Sequence, residues 1–122
     1  MRLKLDNDRP IFLQIKEIIE DAIITGELAP DDQIPSNSQL VTLLNVNPVT
    51  VHKGVSLLLE DGTIYKKRGL GMFVSPEAPA LLRKAQQKSF KEESLRALVD
   101  RAQLLGLTKA ELKKLIDEEW FS

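Results

Sequence analysis

Residues 36–74 read SNSQLVTLLNVNPVTVHKGVSLLLEDGTIYKKRGLGMFV, and local chemistry divides them into four pieces. Ser36 can cap a helix while Gln39, three residues on, reaches back to its backbone N–H, the reciprocal capping box. The spacing predicts a short helix from about Asn37 to Leu44, with Leu40, Leu43 and Leu44 turned inward. Asn45 and Val46 then make a turn. Asn47 and Pro48 restart the chain as a second helix, because Asn is a strong N-cap and Pro suits the first helical position, where no N–H is needed. Val51, Val55, Leu58 and Leu59 form its apolar stripe as far as Asp61-Gly62, where glycine supplies a left-handed C′ residue. The opposite face, with Thr50, His52, Lys53 and Ser56, has no apolar reason to be buried. Beyond it, Thr63-Ile-Tyr-Lys66 and Met72-Phe-Val74 flank Lys67-Arg-Gly-Leu-Gly71 as a hairpin, in which Gly69 and Gly71 permit a tight turn.

Working outward, the preceding segment Leu28-Ala-Pro-Asp-Asp-Gln-Ile-Pro35 reads as a turn and a short extended piece that pairs with the hairpin. Before it, Ile11, Ile15, Ile18, Ile19, Ala22 and Ile23 follow a helical period ending at Gly26, with Asp8 as the expected cap and Pro10 near the first turn. Helix, short helix, turn, longer helix and hairpin follow one another in the order of a winged helix-turn-helix. The fold expected for the whole chain is mainly α with a small β-hairpin. Residues 1–75 form the winged unit and residues 76–122 a two-helix C-terminal region, joined by a hinge-like linker at Ser75-Pro-Glu-Ala-Pro79, whose two prolines disfavour helix.

The rest of the chain contains a long helical pattern from Ala80 to about Leu105, marked by Leu81, Leu82, Ala85, Phe90, Leu95, Leu98, Val99, Ala102 and Leu105. Gly106 ends it. Thr108 and Glu111 form a second capping box, Leu107 staples onto Leu112, and Leu112, Leu115, Ile116 and Trp120 make a last apolar face. So small a region cannot bury both stripes by itself. We therefore expect Leu81, Leu82, Phe90, Leu95, Leu98, Val99, Leu105, Leu112, Leu115, Ile116 and Trp120 to pack against a second copy. Folding back onto the first helix is the alternative.

Composition narrows the function. With 43% apolar residues in 122, one compact core is possible. The chain has no cysteine, which excludes disulfides, thiolate metal sites and a cysteine nucleophile. There is neither a membrane-length apolar run nor a signal-peptide core, so a cytoplasmic protein is expected, with no membrane partner. His52, the one histidine, has no His/Cys cluster to make it a metal ligand, and the carboxylates fall at caps, turns or solvent faces. Neither enzymatic activity nor a cofactor is expected. Gly69-Leu-Gly71 lacks the strand, turn and helix order of a phosphate-binding loop.

Net charge is −1, lower than a nucleic-acid binder usually carries, but the distribution is uneven. Residues 1–46 hold four basic and eight acidic side chains, and residues 47–76 hold four basic and two acidic. The positive charge therefore gathers on the second helix and the hairpin, where a nucleic-acid footprint needs it. The structural alternative for Lys66-Lys67-Arg68 is a solvated edge that discourages sheet aggregation.

Pro10-Ile-Phe-Leu-Gln-Ile, Gly26-Glu-Leu, Ile34-Pro-Ser-Asn-Ser-Gln-Leu-Val, Val46-Asn-Pro-Val-Thr-Val and Lys67-Arg-Gly-Leu-Gly-Met-Phe-Val together resemble the DNA-binding domain of GntR-family bacterial transcription regulators, over about residues 9–75. Asn47-Pro48 with the short tail is similar to the YtrA-like subfamily, which carries only a small helical dimerisation region. The resemblance implies a dimeric repressor on an inverted-repeat operator in double-stranded DNA. The helix from Pro48 would lie in the major groove and the wing tip in the minor groove. It implies DNA contacts from Ser36, Ser38, Asn47, Thr50, His52, Lys53, Lys66, Lys67, Arg68, Gly69 and Leu70. Ser38, Pro48 and His52 stand where arginines are frequent in the family, so fewer phosphate contacts and a shallower salt dependence are expected. An unknown small-molecule effector between the dimer helices has room but no converging polar groups. The other function class is a winged-helix protein-interaction module without specific DNA binding.

Overall fold

The structure, a computed structural model, describes Met1 and residues 3–122. It divides into two compact units, Met1–Arg83 and Lys84–Ser122. The first contains α1 (Ile11–Ile24), α2 (Asn37–Leu44), α3 (Pro48–Glu60), β1 (Ile64–Lys67) and β2 (Gly71–Val74), and the start of α4 (Ala78–Ser89).

The local signals around the two central helices act as expected. Ser36 Oγ accepts from the Gln39 N–H at 3.1 Å and Gln39 Oε1 accepts from the Ser36 N–H at 2.8 Å. Asn47 Oδ1 accepts from the Thr50 N–H at 2.9 Å, with Pro48 in the first turn of α3. Gly62, with φ +74°, follows the end of that helix. Two expectations fail. Leu43 is 47% exposed, because Leu40 and Leu44 already fill the inward stripe of so short a helix. Nor does Asp8 cap α1: its N–H donates to Asp6 Oδ1, and Pro10 takes the N-cap position with no side-chain cap. The segment before α1 is instead tied down by buried Gln14, whose side chain exchanges two hydrogen bonds with the Asp6 backbone and donates a third to the Arg9 carbonyl, all at 2.9 Å.

Ile15, Ile18, Ile19 and Ile23 of α1 meet Leu40 and Leu44 of α2, Val51, Val55 and Leu58 of α3, and Ile34, Ile64 and Val74 from the hairpin side. Each fully buried aliphatic side chain contributes about 1.5–3 kcal/mol, so this cluster holds the unit together. α1 and α3 approach closely at Gly54, where an added Cβ would stand 2.7 Å from the Phe12 carbonyl oxygen. Lys16 ties the far end of the same pair, reaching Glu20 at 3.2 Å and Asp61 at 3.5 Å. Burial raises the Glu20 carboxyl above the ordinary range; for Lys16, burial acts downward but the two carboxylates carry it upward.

The hairpin is antiparallel, pairing Ile64 with Val74, Tyr65 with Phe73, Lys66 with Met72 and Lys67 with Gly71. The segment before α2 joins its other edge as expected, through a bridge between Gln33 and Phe73 and a hydrogen bond from the Ile34 N–H to the Met72 carbonyl. Ser75 and its neighbours are not a free hinge. Ser75 is buried, its hydroxyl donates to the Gly62 carbonyl at 2.6 Å, and its N–H donates to the Thr63 carbonyl. Ala78 belongs to the core, Leu82 packs against it, and Arg83 donates to the Ile24 carbonyl at the end of α1 at 2.9 Å. Two prolines do not loosen this stretch, because α4 begins only at Ala78 and tolerates Pro79 in its first turn.

In the second unit the helical run continues from α4 through a π-helical turn, Phe90–Leu95, into α5 (Arg96–Leu104). Gly106, at φ +76°, ends α5, and the Leu107 N–H donates to the Ala102 carbonyl. α6 (Lys109–Glu119) then starts at the Thr108–Glu111 capping box, and Leu107 and Leu112 line one depression together with Val99 and Ala102. The π turn holds an extra residue, which rotates everything after it by about 100° relative to a continuous α-helix. That rotation brings Phe90 onto the stripe of Leu95, Leu98, Ala102 and Leu105.

Candidate nucleic-acid interface

The residues singled out from the sequence lie at the start of α2 (Ser36, Ser38), at the cap and first turns of α3 (Asn47, Thr50, His52, Lys53) and on the hairpin (Lys66 to Leu70). Two of these are partly occupied by the fold: Ser36 Oγ and Asn47 Oδ1 accept cap hydrogen bonds, which leaves the Ser36 O–H and the Asn47 amide N–H groups as donors. Thr50 is half-buried, and Ser38, His52, Lys53, Lys66, Lys67, Arg68, Gly69 and Leu70 are exposed. His52 Nε2 lies 3.4 Å from Ser56 Oγ, one turn on along the same face. Ser38 lies on the outer side of α2, in a shallow depression with Pro35, Gln39, Thr42 and Leu43.

Two of the cations, Lys53 and Lys67, rest on aromatic rings rather than on carboxylates. Lys53 Nζ lies 3.9 Å from the centroid of Phe12 on α1, and Lys67 Nζ lies 4.7 Å from that of Phe73 and 5.8 Å from that of Tyr65. The Tyr65 and Phe73 rings stack at 5.8 Å, and the Tyr65 hydroxyl donates to Asp31 Oδ1 at 2.7 Å, which holds the phenol above its ordinary pKa. None of Lys53, Lys66, Lys67 and Arg68 takes part in the ion pairs formed among the described residues. Their charge therefore remains available to an anionic partner.

At the wing tip the Leu70 N–H donates to the Lys67 carbonyl at 3.0 Å, and Gly69 takes φ +77° at the third turn position, where a left-handed residue is required. Gln33 Nε2 donates to the Leu70 carbonyl at 2.7 Å. Sequence reasoning missed this residue, because its partner lies 37 positions away. It also missed Val49, 78% exposed beside Pro48. The signal was present, since Val49 falls outside the Val51, Val55 and Leu58 stripe.

Residues 12–74 match the family model of bacterial regulatory proteins of the gntR family. The chain belongs to the GntR family. It is similar to the HTH-type transcriptional repressor YtrA of Bacillus subtilis, with 32% identity over 91% of this chain and 81% of that protein. The HTH-type transcriptional regulator YurK and the repressor NagR of the same organism are longer, and the chain spans about 30% of their length. Among solved structures, a GntR family transcriptional regulator from Listeria monocytogenes superimposes with a TM-score of 0.79 at 27% identity, over 93% of this chain and 98% of that one. The AraR DNA-binding domain in complex with operator ORX1 does so at 0.56 and 28% identity, over 62% of this chain and 96% of that domain. The helix-turn-helix and hairpin of this GntR protein are thus those of a DNA-binding transcription regulator.

Of the residues expected to meet a second copy, Leu81, Phe90, Leu95, Leu98, Leu105, Leu115, Ile116 and Trp120 are exposed. Val99 and Leu112 are half-buried. Leu82 is half-buried and packs against the core of the first unit. Leu104 and Phe121, which the helical stripes did not include, are 74% and 93% exposed. No helix among the described residues is long and apolar enough to cross a membrane.

Proposed function

We propose that this GntR regulator is a cytoplasmic, dimeric repressor that occupies an inverted-repeat operator and blocks transcription sterically, without catalysis. The observation that carries this reading is the set of four cations on α3 and the wing, Lys53, Lys66, Lys67 and Arg68, that find no carboxylate partner among the described residues. In this reading α3 enters the major groove, with Asn47, Val49, Thr50, His52 and Lys53 toward bases and phosphates. Arg68, Gly69 and Leu70 enter the minor groove, and Lys66 and Lys67 flank the strand. Residues 1–75 carry the reader and residues 76–122 the dimer contacts, through Leu81, Phe90, Leu95, Leu98, Leu105, Leu115, Ile116 and Trp120. A two-fold dimer supports the inverted repeat, since each subunit reads one half-site.

Selection from a random duplex pool tests this directly. An enriched inverted repeat is expected, with log affinity falling linearly against log salt and Lys53→Ala and Arg68→Ala weakening binding while the dimer persists. Failure to enrich any sequence, with affinity indifferent to salt, would instead favour a winged helix that grips a protein.

A further inference from the structure

We propose that Phe12 is a positioning residue for DNA binding: its ring is a platform that holds the Lys53 ammonium where a backbone phosphate can take it. This rests on the reading of Lys53 as a DNA contact.

Three observations support the platform. Lys53 Nζ sits 3.9 Å from the Phe12 centroid, well within the reach of a cation–π contact. Lys53 is exposed and outside every ion pair among the described residues, so the ring is what restrains it. The ring is itself placed by the backbone: Gly54, the residue after Lys53, lets α3 approach the Phe12 carbonyl so closely that a Cβ there would lie 2.7 Å from it. A lysine at this point of α3 therefore has a ring beneath it by construction. Lys67 on the wing rests on Phe73 and Tyr65 in the same manner.

The physics favours a ring over a carboxylate here. A free lysine side chain gives up much rotamer freedom when it is fixed on a phosphate, and a platform removes part of that loss before DNA arrives. An acidic partner would do the same but would cancel the charge and occupy the N–H donors. The ring face attracts the cation through its quadrupole and leaves the charge and N–H groups for the phosphate.

The test is a double-mutant cycle on the full-length protein, using the duplex that the wild type enriches from a random pool. Phe12→Leu, Lys53→Ala and the double variant are compared for affinity and for the slope of log affinity against log salt, with thermal melting as a check on folding. We expect Lys53→Ala to weaken binding about tenfold, Phe12→Leu about threefold to fivefold, and the double variant no more than Lys53→Ala, with Phe12→Tyr restoring the wild-type value. Additive losses, or Phe12→Leu binding as tightly as wild type while Lys53→Ala does not, would overturn the platform and leave the DNA contact standing. Unchanged affinity in Lys53→Ala would remove the contact and the platform with it. If Phe12→Leu melts early, Phe12→Met, which fills the site without a ring face, carries the same comparison.

Discussion

Gly54 stands against Phe12 with no room for a side chain: a Cβ would lie 2.7 Å from the Phe12 carbonyl oxygen and 3.2 Å from Ile15. In a solvated helix, Gly→Ala is stabilising by about 1 kcal/mol. Here the obstacle is backbone, which cannot swing aside, so α1 and α3 must separate. We expect Gly54→Ala to destabilise the protein by about 1–3 kcal/mol, the range for overpacked cores, in chemical denaturation. Net stabilisation would show that the helices part without cost.

The wing is shaped by a side chain outside it. Gln33 Nε2 donates to the Leu70 carbonyl at 2.7 Å, and Gly71, at φ +123°, lies under the same amide. Gln33→Ala should cost only about 0.5–1.5 kcal/mol of global stability, the worth of one ordinary hydrogen bond, yet loosen the tip. Affinity for the selected duplex should fall at a temperature where the variant is still fully folded, its melting temperature lowered by only several degrees. Equal affinity in Gln33→Ala and wild type would mean that the tip needs no latch.

Tyr65, the one tyrosine, offers a clean titration. Its hydroxyl donates to Asp31, and that bond favours the neutral phenol, so its pKa lies above the ordinary 10.0. The stabilisation is fully present below about pH 10 and is lost as pH rises through the raised value. Tyrosinate absorbance should therefore appear later in the folded protein than in denaturant. Asp31→Gly, which removes the carboxylate without straining φ +65°, should bring the two curves together.

Where the first unit ends can be checked by truncation. Ala78 lies in its core, Leu82 packs on it, and Arg83 bonds the last carbonyl of α1. A chain ending after Arg83 should melt cooperatively, whereas one ending after Ser75 should be less stable by about 2–4 kcal/mol, from the lost apolar burial and hydrogen bond. Equal stability would make this stretch the loose linker that its prolines suggest.

Sequence alone determined the elements whose signals lie within four residues of one another. The Ser36–Gln39 and Thr108–Glu111 boxes, the Asn47-Pro48 start, the Gly62 and Gly106 stops and the Ile15, Ile18, Ile19 stripe all act as read, because a cap or a helical period is a property of local backbone geometry. The reader's exposed cations and the hairpin turn were legible for the same reason. Tertiary structure alone decided what those residues touch. The seat of Lys53 on Phe12, the Gln33 latch and the close approach at Gly54 join positions roughly 40 apart, and no local period encodes such contacts. Pro76 and Pro79 speak only for φ and the missing N–H, whereas the burial of Ser75 depends on Gly62 and Thr63, thirteen and twelve positions away. The π turn at Phe90–Leu95 escaped for a related reason: a 3.6-residue period assumes the regularity that an inserted residue breaks.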